Sequence, residues 1–254
     1  MLPSMPASAS PVENPIWTGW DVLLLAILTL FSIVVFVFLV TYAAQRLVYP
    51  RMAIGDVAKY PIVAVLGELL AELLVLVGMI SMVRSKGGQD FWKSIRWNWP
   101  KNWPRYLFGG LVLAFGLQGL AHLLPIPKEL PIDRFFQTTS EAWVLSLFGM
   151  TVAPLLEELF FRGFLYPVLA RRMGIVAAVV LTAVPFGLIH AAQLGWAWGP
   201  VLVVFLVGLT LTITRAVTKS VGAGVLIHAA YNATISILIF VATDGFRHLE
   251  KLNQ

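Results

Sequence analysis

Long apolar runs separated by short polar segments make up most of the chain. Seven of them, over residues 21–44, 61–83, 106–124, 142–166, 175–194, 200–214 and 221–241, can each form a membrane-crossing helix. Such a crossing takes about 20 residues. An eighth crossing follows if the first run or the 142–166 region is broken. The pattern predicts an all-α, polytopic transmembrane helical bundle of about seven spans that encloses an intramembrane polar cavity.

Polar segments precede and follow this bundle in the chain. Residues 1–20 are rich in Pro and Ser and contain no Lys or Arg, so they lack the basic region of a cleavable signal peptide. We expect a flexible N-terminal segment over 1–20 and a single transmembrane domain over 21–241, with its chemically distinctive motifs in 142–241. A polar C-terminal tail is expected over 242–254.

Composition and charge narrow the class of protein. The chain is 59% hydrophobic and 12% charged, about half the charged fraction of an average soluble domain. Cysteine is absent, which excludes disulfides, thiolate metal sites and a cysteine nucleophile. The net charge of +5 comes from Lys and Arg in short loops, where they act as topology signals. We therefore expect membrane lipid and no nucleic acid as a partner, and we make no prediction of the oligomeric state.

The Lys and Arg residues are distributed unequally between the two predicted faces. Ten lie on the face that holds loop 84–105, and seven lie on the other. We call the first of these the basic face and loop 84–105 the basic loop. By the positive-inside rule this small excess favours a cytoplasmic N-terminus. Four tryptophans in the same loop are typical of an interfacial anchor on the membrane surface. They are Trp92, Trp97, Trp99 and Trp103.

Three charged residues interrupt the apolar stretch "VAPLLEELFFRGFLYP". Glu158 and Arg162 are four residues apart and can pair on one helix face. Glu157 is rotated by about 100° from Glu158 and by about 140° from Arg162. Arg162 therefore neutralises one glutamate and leaves the other acid without a partner on its own helix. A purely structural pair needs only one Glu, so the second indicates a function.

Further polar residues lie in later spans. His190 ends "VPFGLIH", where Phe186 precedes it by one turn and can orient its ring; His228 and Asn232 share a face in "GVLIHAAYN". The depth of each residue below the basic face can be estimated at about 1.5 Å per residue of helix. On this estimate a modest tilt of the helices brings Glu157, His190 and His228 to one level. We expect one site on three helices.

Other intramembrane polar residues carry weaker signals. Glu68 and Glu72 are like charges four residues apart in "VLGELLAELLVL", and they repel unless one is protonated or both face water. We interpret them as a polar seam that lines the cavity, without a direct catalytic role. His122 lies close to a span end and is interpreted as interfacial.

A carboxylate, two imidazoles and an amide can together activate water and stabilise negative charge. No G-x-S-x-G, H-E-x-x-H or paired intramembrane aspartates occur in the chain. The motifs "EELFFR", "FGLIH" and "HAAYN" resemble, in that order, the E-E-x-x-x-R, F-x-x-x-H and H-x-x-x-N motifs of CPBP-family intramembrane proteases. This family is also called Abi or CAAX prenyl endopeptidases. The resemblance covers residues 157–232.

The resemblance implies a helical membrane protease that hydrolyses a peptide bond with an activated water. The substrate would be a protein or peptide cut near its C-terminus or at the membrane face, in the cytoplasmic membrane of a prokaryote. Glu157 would be the general base with His190 beside it, while His228 and Asn232 would stabilise the oxyanion. Glu158 and Arg162 match the second glutamate and the arginine of the family motif, which gives them a supporting role.

Three alternatives remain open at this stage. The polar cluster could serve a non-catalytic scaffold or a bacteriocin-immunity-type protein that binds a partner. An ion or proton carrier would need titratable groups across the whole bilayer, whereas the sequence shows a local cluster. We favour a site without a cofactor or metal, yet Glu157, His190 and His228 could also be three zinc ligands with water as the fourth.

Overall fold

The computed structural model describes residues 13–88 and 90–250, and these residues are helical without any β-strand. The helices are α1 (Gly19–Leu47), α2 (Ile54–Val57), α3 (Pro61–Ser85), α4 (Phe91–Ser94), α5 (Trp103–Ala121), α6 (Thr139–Met150), α7 (Val152–Glu158), α8 (Tyr166–Ile189), α9 (Trp198–Thr218) and α10 (Val221–Ala242). A π-helical segment, Leu159–Leu165, joins α7 to α8, and a 3₁₀ turn covers Pro131–Phe135. The predicted all-α fold class is confirmed.

Five helical runs of the described residues are long and apolar enough to cross a membrane. They are Gly19–Leu47, Pro61–Ser85, Thr139–Ile189, Trp198–Thr218 and Val221–Ala242. The predicted third span, 106–124, corresponds to α5, which has 19 residues and is not one of these five runs. The predicted fourth and fifth spans belong to a single run of 51 residues. The chain is thus an integral membrane protein with a polytopic helical bundle.

Two backbone breaks divide that long run. Thr151, at φ −124° and ψ −70°, separates α6 from α7. Gly174 lies inside α8 at φ 79° and ψ 171°, a conformation that glycine adopts without a steric penalty. Glu157 and His190 are about equally far along the chain from Gly174, yet their side chains lie 3.8 Å apart. The helical segments before and after Gly174 therefore lie side by side.

Glycines allow close approach at the main helix contacts. A Cβ on Gly67 of α3 would lie 2.7 Å from the Cα of Val37 in α1, and one on Gly110 of α5 would lie 2.7 Å from the Cβ of Ala230 in α10. Small residues serve this purpose in membranes, where helices associate through close packing and interhelical hydrogen bonds. The resulting pairs, α1 with α3 and α5 with α10, flank the long central run.

The chain ends differ from the prediction in the part that the structure describes. Residues 13–18, which we call the N-terminal strap, are packed against the bundle: Glu13 is 2% exposed and Trp17 is 1% exposed. Beyond α10, Phe246 is buried against Trp143 in an edge-to-face contact. The apolar rings drive both segments onto the bundle, so neither is a free tail. The rest of the predicted flexible segment and tail, residues 1–12 and 251–254, lies outside the described residues.

Ion pairs and hydrogen bonds bring the predicted basic face together at one end of the bundle. Asp21, in the first turn of α1, lies 2.9 Å from Lys86. Arg171 donates a hydrogen bond to the carbonyl of Pro15 in the strap at 2.7 Å. In the adjoining basic loop Trp92, Trp99 and Trp103 are exposed, as an interfacial anchor requires.

Candidate active site

Three helices bring one glutamate and two histidines together. Glu157 lies near the end of α7, His190 directly follows α8, and His228 lies in the first half of α10. Glu157 Oε1 is 3.8 Å from His190 Nε2, and Glu157 Oε2 is 3.7 Å from His228 Nε2. The convergence predicted from comparable depths is confirmed.

The neighbouring acid has a different environment. Glu158 Oε1 lies 2.6 Å from Arg162 Nη1, and both side chains are 0% exposed. Arg162 also donates hydrogen bonds to α9, to the carbonyl of Gly208 at 2.8 Å and to the hydroxyl of Thr212 at 3.3 Å. The predicted pairing is confirmed, and Glu157 is left to face the histidines.

The segment that follows this pair is a π-helix, where the sequence predicts a regular α-helix. Leu159–Leu165 has five buried residues out of seven, among them Phe161 and Phe164. A π-helical turn is rare and occurs often at functional sites. It persists here because its aromatic side chains and Arg162 fill the space between α8, α9 and the strap. Periodicity could not reveal it, because the residues are apolar on almost every side.

The hydrogen bonds of the two imidazole rings define their tautomers. His190 Nδ1 lies 2.8 Å from the carbonyl of Phe186, and His228 Nδ1 lies 3.3 Å from Glu158 Oε1. Both partners only accept, so each Nδ1 carries a proton and donates it. Both Nε2 atoms are then directed at Glu157. A separation of 3.7–3.8 Å exceeds a direct hydrogen bond but suits a bridging water.

Phe186 forms the wall behind these groups. Its ring centroid lies 5.2 Å from that of His190 and 5.7 Å from that of His228. The Arg162 guanidinium carbon lies 4.4 Å from the same centroid, a cation–π distance. The predicted contact with His190 is confirmed, and the same ring also contacts His228 and the Arg162 guanidinium.

Asn232 is placed differently from the other predicted residues. It shares the His228 face of α10, but its side-chain nitrogen donates a hydrogen bond of 2.6 Å to the carbonyl of Gly149 near the end of α6. This bond uses one of the two N–H groups of the amide. Among the described residues Asn232 has no hydrogen bond to Glu157 or His190, so its oxyanion role stays a prediction.

A cavity of about 710 Å³ opens beside Glu157. Its walls come from α1, α3, α7, the π-helical segment and α8, and most of the lining residues are apolar. The polar exceptions include His190 together with Glu68 and Glu72 of α3. The prediction that these two glutamates line the cavity is confirmed. His122 is exposed at the end of α5, as expected of an interfacial residue.

Sequence reasoning missed the part of the site that α9 contributes. Gly208 and Thr212 are one turn apart, and Thr212 also donates to the carbonyl of Gly208 at 2.7 Å. A signal was available, because Gly208, Thr212 and Arg215 have the spacing of a single helix face in an otherwise apolar helix. That face needed a buried polar partner, and Arg162 is that partner.

Gly224, one turn before His228, offers a test of how tightly the buried carboxylate is held. A Cβ at this position would overlap Glu158 Oε2. Gly224→Ala is therefore expected to lower stability by about 1–3 kcal/mol, as overpacking does. The measurement is thermal unfolding in detergent. Gly116→Ala is the matched control, because a Cβ there meets nothing within 4 Å; equal melting temperatures for the two variants would contradict the tight fit.

Comparison with known proteins finds a similarity over the segment that carries this site. Residues 139–234 match the family model described as type II CAAX prenyl endopeptidase Rce1-like. The UPF0177 protein YbdI of Lactococcus lactis subsp. lactis (strain IL1403) is 26% identical over 144 residues, which cover 53% of this chain and 75% of that protein. No solved structure matches significantly. Over residues 139–234 the chain is therefore similar to type II CAAX prenyl endopeptidases of the Rce1-like family, and the resemblance carried by the three motifs is confirmed.

Proposed function

We propose that this protein is an intramembrane endopeptidase that hydrolyses a peptide bond through a water activated by Glu157. Its substrate would be a protein or peptide cut near the C-terminus or at the membrane face, in the cytoplasmic membrane of a prokaryote. The observation that supports this most directly is the placement of Glu157 between two imidazole Nε2 atoms at 3.8 and 3.7 Å, beside a 710 Å³ cavity.

In the proposed reaction Glu157 accepts a proton from a water while the water oxygen attacks the scissile carbonyl. The C–N bond then breaks, and the proton held by Glu157 passes to the leaving nitrogen. One water is consumed, and an acid and an amine are formed. His190 orients the water beside Glu157, and His228 and Asn232 stabilise the oxyanion by hydrogen bonding. His228 donates from Nε2 in this step, so its ring carries a hydrogen on both nitrogens.

The Glu158–Arg162 pair has a supporting role in this proposal. Glu158 accepts from both Arg162 and His228. It thereby sets the orientation of the His228 ring, much as second-layer carboxylates orient imidazoles elsewhere. Arg162 balances the charge of Glu158, so that Glu157 can change protonation state without leaving two uncompensated anions side by side.

A zinc-dependent version of the reaction is the second candidate. One observation favours it: each imidazole bonds outward through Nδ1, the arrangement typical of metal-bound histidines. Glu157, His190 and His228 would then hold the ion, which would supply Lewis-acid activation of water. The metal-free reaction stays our first proposal, because Glu157 beside two imidazoles can act as a general base without an ion.

A cleavage assay with and without a chelator tests both versions. The purified protein in detergent is incubated with a peptide library, and products are identified by mass spectrometry. We expect cleavage that resists a strong zinc chelator. Cleavage abolished by the chelator and restored by zinc would support the metal version. If no peptide is cut, whether in detergent or in reconstituted membranes, the hydrolytic proposal fails and the non-catalytic binding role takes its place.

Asn232 provides a separate test of the oxyanion assignment. Loss of one such donor slows turnover by about 100- to 1000-fold, so Asn232→Ala is expected to lower kcat with little change in KM. Asn232→Asp should be worse, because a carboxylate repels the developing charge and also the Gly149 carbonyl that Asn232 now contacts. Steady-state kinetics on one cleaved peptide measures both. An active Asn232→Asp with chelator-sensitive turnover would contradict the oxyanion role.

A further inference from the structure

The N-terminal strap, residues 13–18, places a single buried acid among the cations of the basic face. Glu13 Oε1 lies 2.9 Å from Arg215 of α9, and Oε2 lies 3.0 Å from Arg96 of the basic loop. Lys219, directly after α9, is 3.9 Å away. The Arg215 side chain is 1% exposed, so this ion pair lies in the interior and not on the surface. Through Glu13 the strap is attached to the end of α9.

The same strap is attached to the π-helical segment through Trp17. Its indole Nε1 donates a hydrogen bond of 3.0 Å to the carbonyl of Phe164, and the two rings stack with centroids 4.3 Å apart. Trp17 belongs to a buried core cluster that also contains Leu156 and Leu159. These leucines directly precede and follow the adjacent glutamates. The ring therefore packs in the cluster that holds both ends of the Glu157–Glu158 pair.

Both attachments of the strap lead to elements that hold the side chain of Arg162. Arg215 lies on the same face of α9 as Gly208 and Thr212, at i+7 and i+3 from them. Those two residues accept hydrogen bonds from Arg162, which itself belongs to the π-helical segment. The strap thus joins α9 to the segment whose arginine is bonded to α9. A displacement of either element would move Arg162, and with it Glu158 and the His228 ring.

We propose that the strap is a positioning element of the active site, with Trp17 and Glu13 as positioning residues. It fixes the π-helical segment against α9, so that Glu158 holds His228 with Nε2 directed at Glu157. Neither residue touches the reacting atoms. This inference rests on the proposed hydrolytic function, and it goes beyond the matched family segment, since residues 13–18 lie outside 139–234.

The variant Trp17→Phe separates positioning from simple anchoring. Phenylalanine keeps a ring for stacking on Phe164 but loses the N–H donor. We expect kcat to fall about 10- to 100-fold, the scale associated with misplacement by about 1 Å, while KM changes less than twofold. Trp20→Phe, at a site 72% exposed, is the matched control and should keep wild-type kinetics. A wild-type kcat for Trp17→Phe, or a loss that only follows the fraction of folded protein, would overturn the proposal.

Glu13 supplies a second variant pair. Glu13→Gln removes the charge that Arg215 needs, whereas Glu13→Asp keeps it on a shorter side chain. We expect Glu13→Asp to recover at least part of the kcat lost in Glu13→Gln. No recovery in Glu13→Asp, with both variants folded, would count against the proposal. If Glu13→Gln does not fold, the comparison of Trp17→Phe with Trp20→Phe still decides.

A measurement that does not depend on catalysis distinguishes failure of this inference from failure of the proposed function. The protein has four histidines, so ¹⁵N-histidine NMR in detergent can resolve His228 after assignment with His228→Gln. Trp17→Phe should shift the His228 ring nitrogens and Trp20→Phe should not. This result would support the strap as a positioning element even if no peptide were cleaved. An unchanged His228 signal in Trp17→Phe would overturn it even if the protein proves to be a protease.

Discussion

Replacing Glu157 by Gln is expected to abolish peptide hydrolysis while leaving the protein folded. The amide keeps the shape of the side chain but cannot accept a proton from water at neutral pH, and loss of a general base slows such reactions about 100- to 10,000-fold. The carboxylate makes no ion pair with Lys or Arg in the described structure, so little stability should be lost. Initial rates on a cleaved peptide and thermal unfolding of the same preparation measure the two effects.

The adjacent acid is the natural control for this experiment. Glu158→Gln removes the charge that Arg162 and His228 share, so we expect a lower melting temperature in addition to lower activity. Two neighbouring and chemically identical substitutions should therefore give different results. Near-wild-type cleavage by Glu157→Gln would rule out its assignment as the base. Equal destabilisation of both variants would show that the division of roles between them is wrong.

Arg162→Ala is expected to have the largest effect on stability of any single substitution at the site. It leaves Glu158 without its cation at a position that is 0% exposed, and removing one partner of a buried pair costs about 3–5 kcal/mol. It also leaves the carbonyl of Gly208 without a guanidinium donor and removes the cation stacked on Phe186. We expect low yield and a clearly lower melting temperature in detergent.

Arg105 provides the control for Arg162. It is exposed in the first turn of α5, where its guanidinium lies over the ring of Tyr106, so Arg105→Ala should change the melting temperature little. A fully stable but inactive Arg162→Ala would contradict the structural role and would place Arg162 in the chemistry instead. In that case the buried pair would act in substrate binding or catalysis and not in supporting Glu158.

The membrane-spanning character of the chain and the candidate site residues could be predicted from the sequence. Apolar runs report the energy of transfer into lipid, which depends on local composition. Charged residues inside such runs are costly, so Glu157, Glu158 and Arg162 were conspicuous as candidates for a function. The spacing of Glu158 and Arg162 is a local property of one helix, which is why their pairing could be predicted before the partners of Arg162 on α9 were known.

Two other features could not be predicted from the pattern of apolar and polar residues. The π-helical segment depends on how Phe161, Arg162 and Phe164 fill space between other elements. The strap appeared flexible because residues 1–20 are polar and rich in Pro, and only the packing of Trp17 and the cations around Glu13 show otherwise. Both features depend on contacts between residues far apart in the chain, such as Trp17 with Phe164, 147 positions apart, and Arg162 with Thr212, 50 positions apart.

Sequence by itself determined that this protein is a helical membrane protein with an acid, two imidazoles and a buried ion pair in its later spans. Hydropathy and helical spacing are sufficient for that, because each depends on neighbouring residues. Tertiary structure alone decided which ring nitrogens face Glu157, that Asn232 contacts the carbonyl of Gly149, and how α9 and the strap hold Arg162 in place. Those features depend on hydrogen bonds and packing between helices, and such contacts cannot be inferred from any one segment of the sequence.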